Sequence, residues 1–491
     1  MSKLLLIGVG PLLGKGVRNF GGQCLRTWCY AKPLMDDGHK VLLVTLPIYD
    51  PNDPAMRQAA LVRRQGDGFE YLAFTNLDVP FIRRHLAGTV RAFEPDAIFS
   101  INTLPSWVAA QLPLRIPLWA DLFGYEMAEK QGRATWTGDT EALLTAWRTE
   151  SLIARRADKF STVSRPQLHA LLGEMAGLGR LNQHTFHYHF AHHVPISYHP
   201  AFAGEMSLDR DDGKLLKPGP VLRGPIVPED AFVLLWSGGY NYWTNPEFLF
   251  TLLETLMAAE PRIHYVSTGG AIEGYNTRTY EQFVQRIEAS PFRNRCHLLG
   301  WVPAEQLPAI YQEADLGVNI DEPNYETLFG GRNRINNMMA AGLPVVTTYG
   351  SEISQMIAEA GCGIVCPPDS VSDLVAGILG MLRSPERRHD LARRSREYAL
   401  RAFSPHRLTE PAREWARKPA LAPDNDEKMR RFPRTMSFLD CSVNYLEEAA
   451  RIVEQHDVAE MRQAQIQLEA LRARPWYKAM RFLKRRIVGG K

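Results

Sequence analysis

AFVLLWSGGYNYWTNPEFLFTLLETLMAA, residues 231–259, gives three signals in a row. An apolar run of strand length ends at a glycine pair, Gly238 and Gly239. Asn245 and Pro246 then occupy the positions of a helix N-cap and first helical residue, ahead of a long apolar-periodic segment. Strand, glycine turn and capped helix in that order form the repeating unit of a parallel sheet covered by helices.

The unit recurs on both sides. Downstream, IHYVSTGG (263–270), CHLLGWV (296–302), LGVNI (316–320), PVVTT (344–348) and GIVCP (363–367) read as strands separated by helical patterns. Upstream, LLLIGVG (4–10), KVLLVTL (40–46), DAIFSIN (96–102), IPLWADL (116–122) and KFSTVS (159–164) form a second series, with a helix over 21–38. A proline- and glycine-rich stretch, KPGPVLRGPIVPED (217–230), divides the two. The sequence therefore predicts an α/β fold of two tandem Rossmann-like doubly wound domains, 1–216 and 231–405. Residues 217–230 are the linker and 406–491 a helical extension with a basic amphipathic end.

At 491 residues the chain exceeds what one core organises. Its 45% hydrophobic and 23% charged residues are those of an ordinary globular protein. A net charge of +3 implies no polyanion, so nucleic acid is not expected as a partner. The six cysteines contain no Cys-x-x-Cys pair, which points to reduced thiols in a cytoplasm and away from zinc or disulfides. MSKLLLIGVG reads as a first buried strand and not as a signal core, and no stretch approaches the roughly 20 apolar residues of a spanning helix. The expected location is cytoplasmic, with attachment to a membrane surface at most.

Tyr325–Glu352 reads YETLFGGRNRINNMMAAGLPVVTTYGSE. Gly330 and Gly331 allow backbone amides close to a ligand. In the following helix Ile335, Met338 and Met339 mark the buried face, while Arg332, Arg334 and Asn337 fall elsewhere; Gly342 and Pro344 end it. Free amides, a positive helix end and two guanidiniums make an anion site. The alternative is a solvated turn whose arginines pair with nearby acids. The other glycine turn, with Gly239, Tyr240 and Asn241, lies at the same carboxyl edge, where open α/β sheets bind ligands, so both turns can face one diphosphate. In the first domain, Gly21 and Gly22 open a helix whose amides can reach phosphates or an acceptor, and Asp121 and Glu126 follow a strand toward the cleft. For Asp121 an N-cap or surface role is the alternative.

With these segments together, the C-terminal half resembles the donor domain of GT-B glycosyltransferases of the retaining, family 4 type. The resemblance rests on WSGGYNYWTNPEFLF, on HLLGWVPAEQLPAIYQEADLGVNI, and on the acid-and-arginine segment ending in MMAAGLPVVTT. FGGQCLRTWCYAKPLMDDGHKVLLVT and ADKFSTVSRPQ extend it more loosely to the first half, so that it covers roughly residues 1–405. It implies transfer of a sugar from a nucleotide-sugar donor to a glycan, lipid-linked or protein acceptor with retention, in surface polysaccharide or glycoconjugate biosynthesis, without a metal. It also implies site residues. Glu326 takes the sugar-facing role, and Asn337, where the family has a second glutamate, meets the ribose. Trp301 and Val302 lie near the base. Arg332 and Arg334 supply the charge that the Gly238–Tyr242 turn lacks, and Asp121 sits where the first domain touches donor or acceptor. Asp121 and Glu326 are thus the expected catalytic residues. Gly22, Gly239, Tyr240, Asn241, Trp301, Val302, Gly330, Gly331, Arg332, Arg334 and Asn337 are the expected donor-binding ones. Because Asn337 and Phe329 depart from the family pattern, a catalytically silent binding or scaffold subunit stays open. So does an epimerase or phosphorylase of the same fold.

HTFHYHFAHH (184–193) holds five histidines, but His187 and His189 alternate onto one strand face and no cysteine is near, so it reads as structure and not as a metal site. LDRDDG (208–213) reads as a solvated loop. Residues 438–474 look helical, with Met461, Ala464, Leu468 and Leu471 spaced for a short seam between copies of the chain. In 475–488, Trp476, Met480, Leu483 and Ile487 line one face among five Lys and Arg, which suits an anionic membrane surface or docking on the protein itself.

Overall fold

The computed structural model describes residues 1–12, 21–48, 54–66, 69–112, 115–205, 220–425, 458–477 and 479–480. Its first sheet is built from β1 (Lys3–Gly10), β2 (Lys40–Pro47), β3 (Leu61–Gln65), β4 (Glu70–Phe74), β5 (Ala97–Ile101), β6 (Leu118–Leu122), β7 (Lys159–Thr162) and β8 (Ala191–His193). The second contains β9 (Phe232–Ser237), β10 (Ile263–Thr268), β11 (Cys296–Gly300), β12 (Leu316–Asn319), β13 (Val345–Thr348) and β14 (Gly363–Cys366). The strand orders are β3-β4-β2-β1-β5-β6-β7-β8 and β11-β10-β9-β12-β13-β14. All pairings are parallel except β3 with β4.

Strand order reverses beside β1 and beside β9, and crevices for ligands open at the carboxyl ends of strands at such points. Central strands bury both faces, as Leu4–Ile7 and Val233–Trp236 do, which is why they read as unbroken apolar runs. Every strand expected from those runs is present. β3 and β4 were not expected, and β8 was expected only as part of a longer strand through the histidine run. β3 reads LVRRQ and β8 is three residues long, so neither carries a strong apolar signal. The histidine run is a strand only at its end, Ala191–His193; His187 lies in the preceding turn, so the expected shared strand face of His187 and His189 does not form.

Beyond Ala402 the chain returns to the first sheet. Ser2 Oγ donates to the Ala416 carbonyl at 2.6 Å. Trp415 packs against Phe99 and Trp119 with ring centroids 5.4 and 5.7 Å apart. Arg180, buried beneath that domain, donates to both carboxylate oxygens of Asp424 at 2.8 and 2.9 Å. The expected extension thus begins as a wall of the first domain. Val458–Ala473 is helical, whereas 438–457 and 481–488, the remainder of the predicted seam and of the basic face, lie outside the described residues. No helix among the described residues is long and apolar enough to cross a membrane.

Candidate active site

The glycine turn after β9 and the helix Asn333–Ala341 meet at Arg334. Gly238 has φ +96°, and Gly269, φ +115° after β10, lies so close to its carbonyl that no side chain fits between the two turns. Arg334, in the first turn of its helix, donates from Nη2 to the Gly239 carbonyl at 2.6 Å. Its guanidinium lies 4.1 Å from the centroid of the Trp236 ring. Nη1 is buried without a hydrogen-bond partner. Burial pushes the Arg334 pKa below that of an ordinary guanidinium, and Asp321 offsets this only from a distance. A cation held this way keeps an unused donor at the carboxyl edge of the sheet.

Arg332 has the opposite fate. Its Nε donates to Asp321 at 2.7 Å, and its two terminal nitrogens donate to the two Glu326 oxygens at 3.1 and 2.8 Å. All three side chains are buried. The expectation that Arg332 grips the diphosphate is therefore corrected: its charge is already divided between two carboxylates. What it does is carry Glu326. That residue sits on the short helix Tyr325–Phe329, whose first turn is fixed by the Asn324 side chain accepting from the Thr327 amide at 2.9 Å. Burial outweighs Arg332 and raises the Glu326 carboxyl from 4.5 to about 7. Gly330 and Gly331 are glycines because of this packing. A Cβ on Gly330 would strike the Glu326 carboxylate, and one on Gly331 would strike Ile196 of the first domain.

Across the cleft, Gly22 begins the helix Gly22–Asp36, and a Cβ there would overlap the Asn333 side chain. Two helix N-termini therefore oppose each other next to Arg334, each with free amides and partial positive charge. Other ties join the domains nearby. Ser164 Oγ donates to the Phe329 carbonyl at 2.6 Å, Asn336 Nδ2 donates to the Ile196 carbonyl at 2.6 Å, and His193 lies 2.7 Å from Glu352.

Three further expectations are corrected. Asp121 does not face the cleft. It is fully buried at the end of β6 and accepts from Arg26 at 3.0 and 2.7 Å, from Ser161 at 2.7 Å and from Tyr30 at 3.1 Å. A carboxylate so enclosed holds the core together and is shut off from a substrate. Tyr240 also points into the core, where its hydroxyl meets Tyr265 at 2.7 Å and Ser267 at 2.9 Å, so only its backbone borders the turn. Asn337 turns to the seam and accepts from the His199 amide at 2.8 Å instead of waiting for a ribose. Asn337→Ala is accordingly expected to cost about 1–2 kcal/mol in a denaturant melt with the donor KM unchanged; a raised KM without loss of stability would restore the ribose role.

The remaining expected residues lie along the rim. The Asn241 amide donates to Thr244 Oγ1 at 3.2 Å. Trp301, 59% exposed, donates from its indole to the Ala271 carbonyl at 2.7 Å, and Val302 packs against the core beside it. Glu126 pairs with Lys130 at 2.8 Å. Its neighbour Glu129 was missed by sequence reasoning. Burial, then the charges of Glu126 and of Glu326 across the cleft, hold the Glu129 carboxyl well above the usual range. The only signal for it was an acid one turn beyond Glu126 in YEMAE. Among the described residues, no three His, Cys, Asp or Glu side chains group as metal ligands.

Two doubly wound domains closing on a glycine turn, an unneutralised guanidinium and a buried glutamate have the architecture of a GT-B enzyme. The profile described as Glycosyl transferases group 1 matches residues 223–398, and that described as Glycosyl transferase 4-like domain matches 21–188. The chain belongs to the GT-B glycosyltransferases of this family 4-like kind. It is a nucleotide-sugar-dependent glycosyltransferase, of a class that needs no metal cofactor. Among solved structures it is similar to sucrose-phosphate synthase from Thermosynechococcus elongatus, with TM-score 0.59 and 17% identity over 85% of this chain and 99% of that one. It is also similar to Anabaena HepE in complex with UDP and glucose, with TM-score 0.56, 15% identity, and 84% and 99% of the chains covered. The trehalose-6-phosphate synthase OtsA gives TM-score 0.60 and 12% identity over 86% and 100%. No curated protein sequence matches the chain.

Proposed function

We propose that this enzyme transfers a hexose from a nucleoside-diphosphate sugar, with retention, to a glycan, lipid-linked or protein acceptor during assembly of a surface polysaccharide or glycoconjugate. The observation that carries this is Arg334, a partly buried guanidinium with a buried, unused Nη1 at the carboxyl edge of the second sheet. A departing diphosphate develops negative charge that preorganised donors must stabilise. Arg334 supplies a cation, and the helix ends at Gly22 and Asn333 supply amides. Glu326, fixed by Arg332, takes hydroxyls of the donor sugar. The acceptor enters from the first domain. With Asp121 engaged in the core, the leaving phosphate serves as the base on the same face, consistent with the retention described for trehalose-6-phosphate synthase. Because HepE is bound to UDP and glucose, a uridine diphosphate hexose is the first donor to try. The basic sequence 475–488 fits delivery of a lipid-linked acceptor at the cytoplasmic face of a membrane, and 438–474 a seam between copies.

A thermal-shift panel of nucleoside diphosphates tests the reading. One of them is expected to raise the melting temperature, with a stabilisation of about 2.7 kcal/mol at a hundred times its dissociation constant. Silence across the panel would overturn it.

A further inference from the structure

We propose that the flank of the cleft formed by Arg133, Trp136, Tyr242 and Arg278 is an acceptor subsite for an anionic sugar, one that carries a phosphate or a carboxylate. The inference rests on the acceptor entering from the first domain and adds the chemical class of that acceptor.

Both domains build this flank. The helix Glu126–Thr137 lays Gly132 against the loop after β9, where a Cβ would stand 3.5 Å from that of Tyr242. One turn on, the Trp136 ring meets the Tyr242 ring edge-on at 6.0 Å. Arg278, at the start of the helix Arg278–Ala289, covers Trp136 with its guanidinium 4.9 Å from the ring centroid. Tyr242 also meets the Tyr275 ring at 5.4 Å and donates its hydroxyl to the Tyr275 carbonyl.

The charge on this flank is not spent. Arg133 Nε is buried and has no hydrogen-bond partner, which is rare for a buried donor. Among the described residues, neither Arg133 nor Arg278 has an acid within salt-bridge distance, whereas the nearby Lys130 is used by Glu126 at 2.8 Å. Burial holds the Glu129 carboxyl, one turn before Arg133, well above the usual range, which weakens its opposition to an incoming anion. The partly exposed Trp136 ring, with Tyr242 buried behind it, offers an apolar face to the C–H side of a sugar, and two guanidiniums beside it select an anionic group. The helix that carries Arg133 and Trp136 also carries Glu126 and Glu129 in its first turn, so the flank continues from the end of that helix. Since each domain supplies part of it, the subsite is complete only when the domains are closed, so acceptor charge and closure are coupled.

The test uses the full chain, saturated with the nucleoside diphosphate that shifts its melting temperature, and titrates glucose 6-phosphate, glucuronate and glucose by calorimetry. Glucose 6-phosphate, glucuronate or both are expected to bind, and the stronger of them identifies the anionic group; glucose binds much more weakly. Arg133→Gln and Arg278→Ala are expected to weaken the anionic sugar about 10- to 100-fold while leaving diphosphate binding intact, which also shows that the variants fold. Equal binding of all three sugars, binding of none, or anionic binding unchanged in both variants would sink the subsite. Loss of the diphosphate shift in the unaltered protein would instead sink the donor assignment beneath it.

Discussion

Arg334→Ala is expected to lower kcat/KM for sugar transfer by about 10²- to 10³-fold, with a melting temperature equal to or above that of the parent. The two halves of this result have one cause. In the folded protein Arg334 is a partly buried cation without a carboxylate in contact, so its removal relieves a desolvation cost and forfeits only one bond to the Gly239 carbonyl and the face of Trp236. Its unused Nη1 has value only when an anion arrives. Arg334→Lys should recover part of the rate, because a point charge replaces the fork but not its two-point geometry. Initial rates over a range of donor concentration, read beside a melt of each variant, decide the matter. A fast and unstable Arg334→Ala enzyme would mean that the residue is structural.

For Arg332→Ala the expectation is reversed. Removal strands Asp321 and Glu326 in a dry site, and breaking a buried ion network from one side costs about 3–5 kcal/mol. The loss should depend on pH with a definite sign. With Arg332 present, Glu326 already titrates near 7, against 4.5 in the unfolded chain. A carboxyl whose folded pKa is raised contributes full stability below its unfolded value and loses it as pH rises through the folded one. Without the guanidinium that window widens upward. The variant should therefore be closest to wild type near pH 5 and furthest from it near pH 8, as measured by denaturant melts at both ends. A deficit that is absent at pH 8, or that grows on acidification, would show that the three groups are not coupled as described.

These two arginines stand two positions apart in GGRNR, and nothing in that string separates them. Arg332 occupies the N-cap with φ −123°, while Arg334 is within the helix, so their side chains leave in different directions. The acids that capture Arg332 lie 11 and 6 residues earlier, at the end of β12 and on a one-turn helix, and only the folded turn brings them together. Asp121 misled for the same reason. An acid at a strand end resembles a catalytic one until Arg26, 95 residues away, is seen to occupy it. Tyr240 followed a glycine pair, yet Trp236 and Phe283 stack against it from its own domain. By contrast the eleven expected strands were legible because each is a short apolar run, and the central ones, buried on both faces, have no polar alternation to confuse with a helix. Local pattern disclosed the scaffold and the two glycine turns; the pairing of charges is long-range and was not visible.

Arg180 finds its acid 244 positions later in the chain. On a ribosome that distance is time. The first domain is made first, but its buried Arg180 has the Ala154 and Ala157 carbonyls and the Phe190 ring, and no carboxylate, until Asp424 emerges, after the whole donor domain has been synthesised. A chain cut short near residue 405 therefore leaves a buried cation of the earlier domain without its carboxylate.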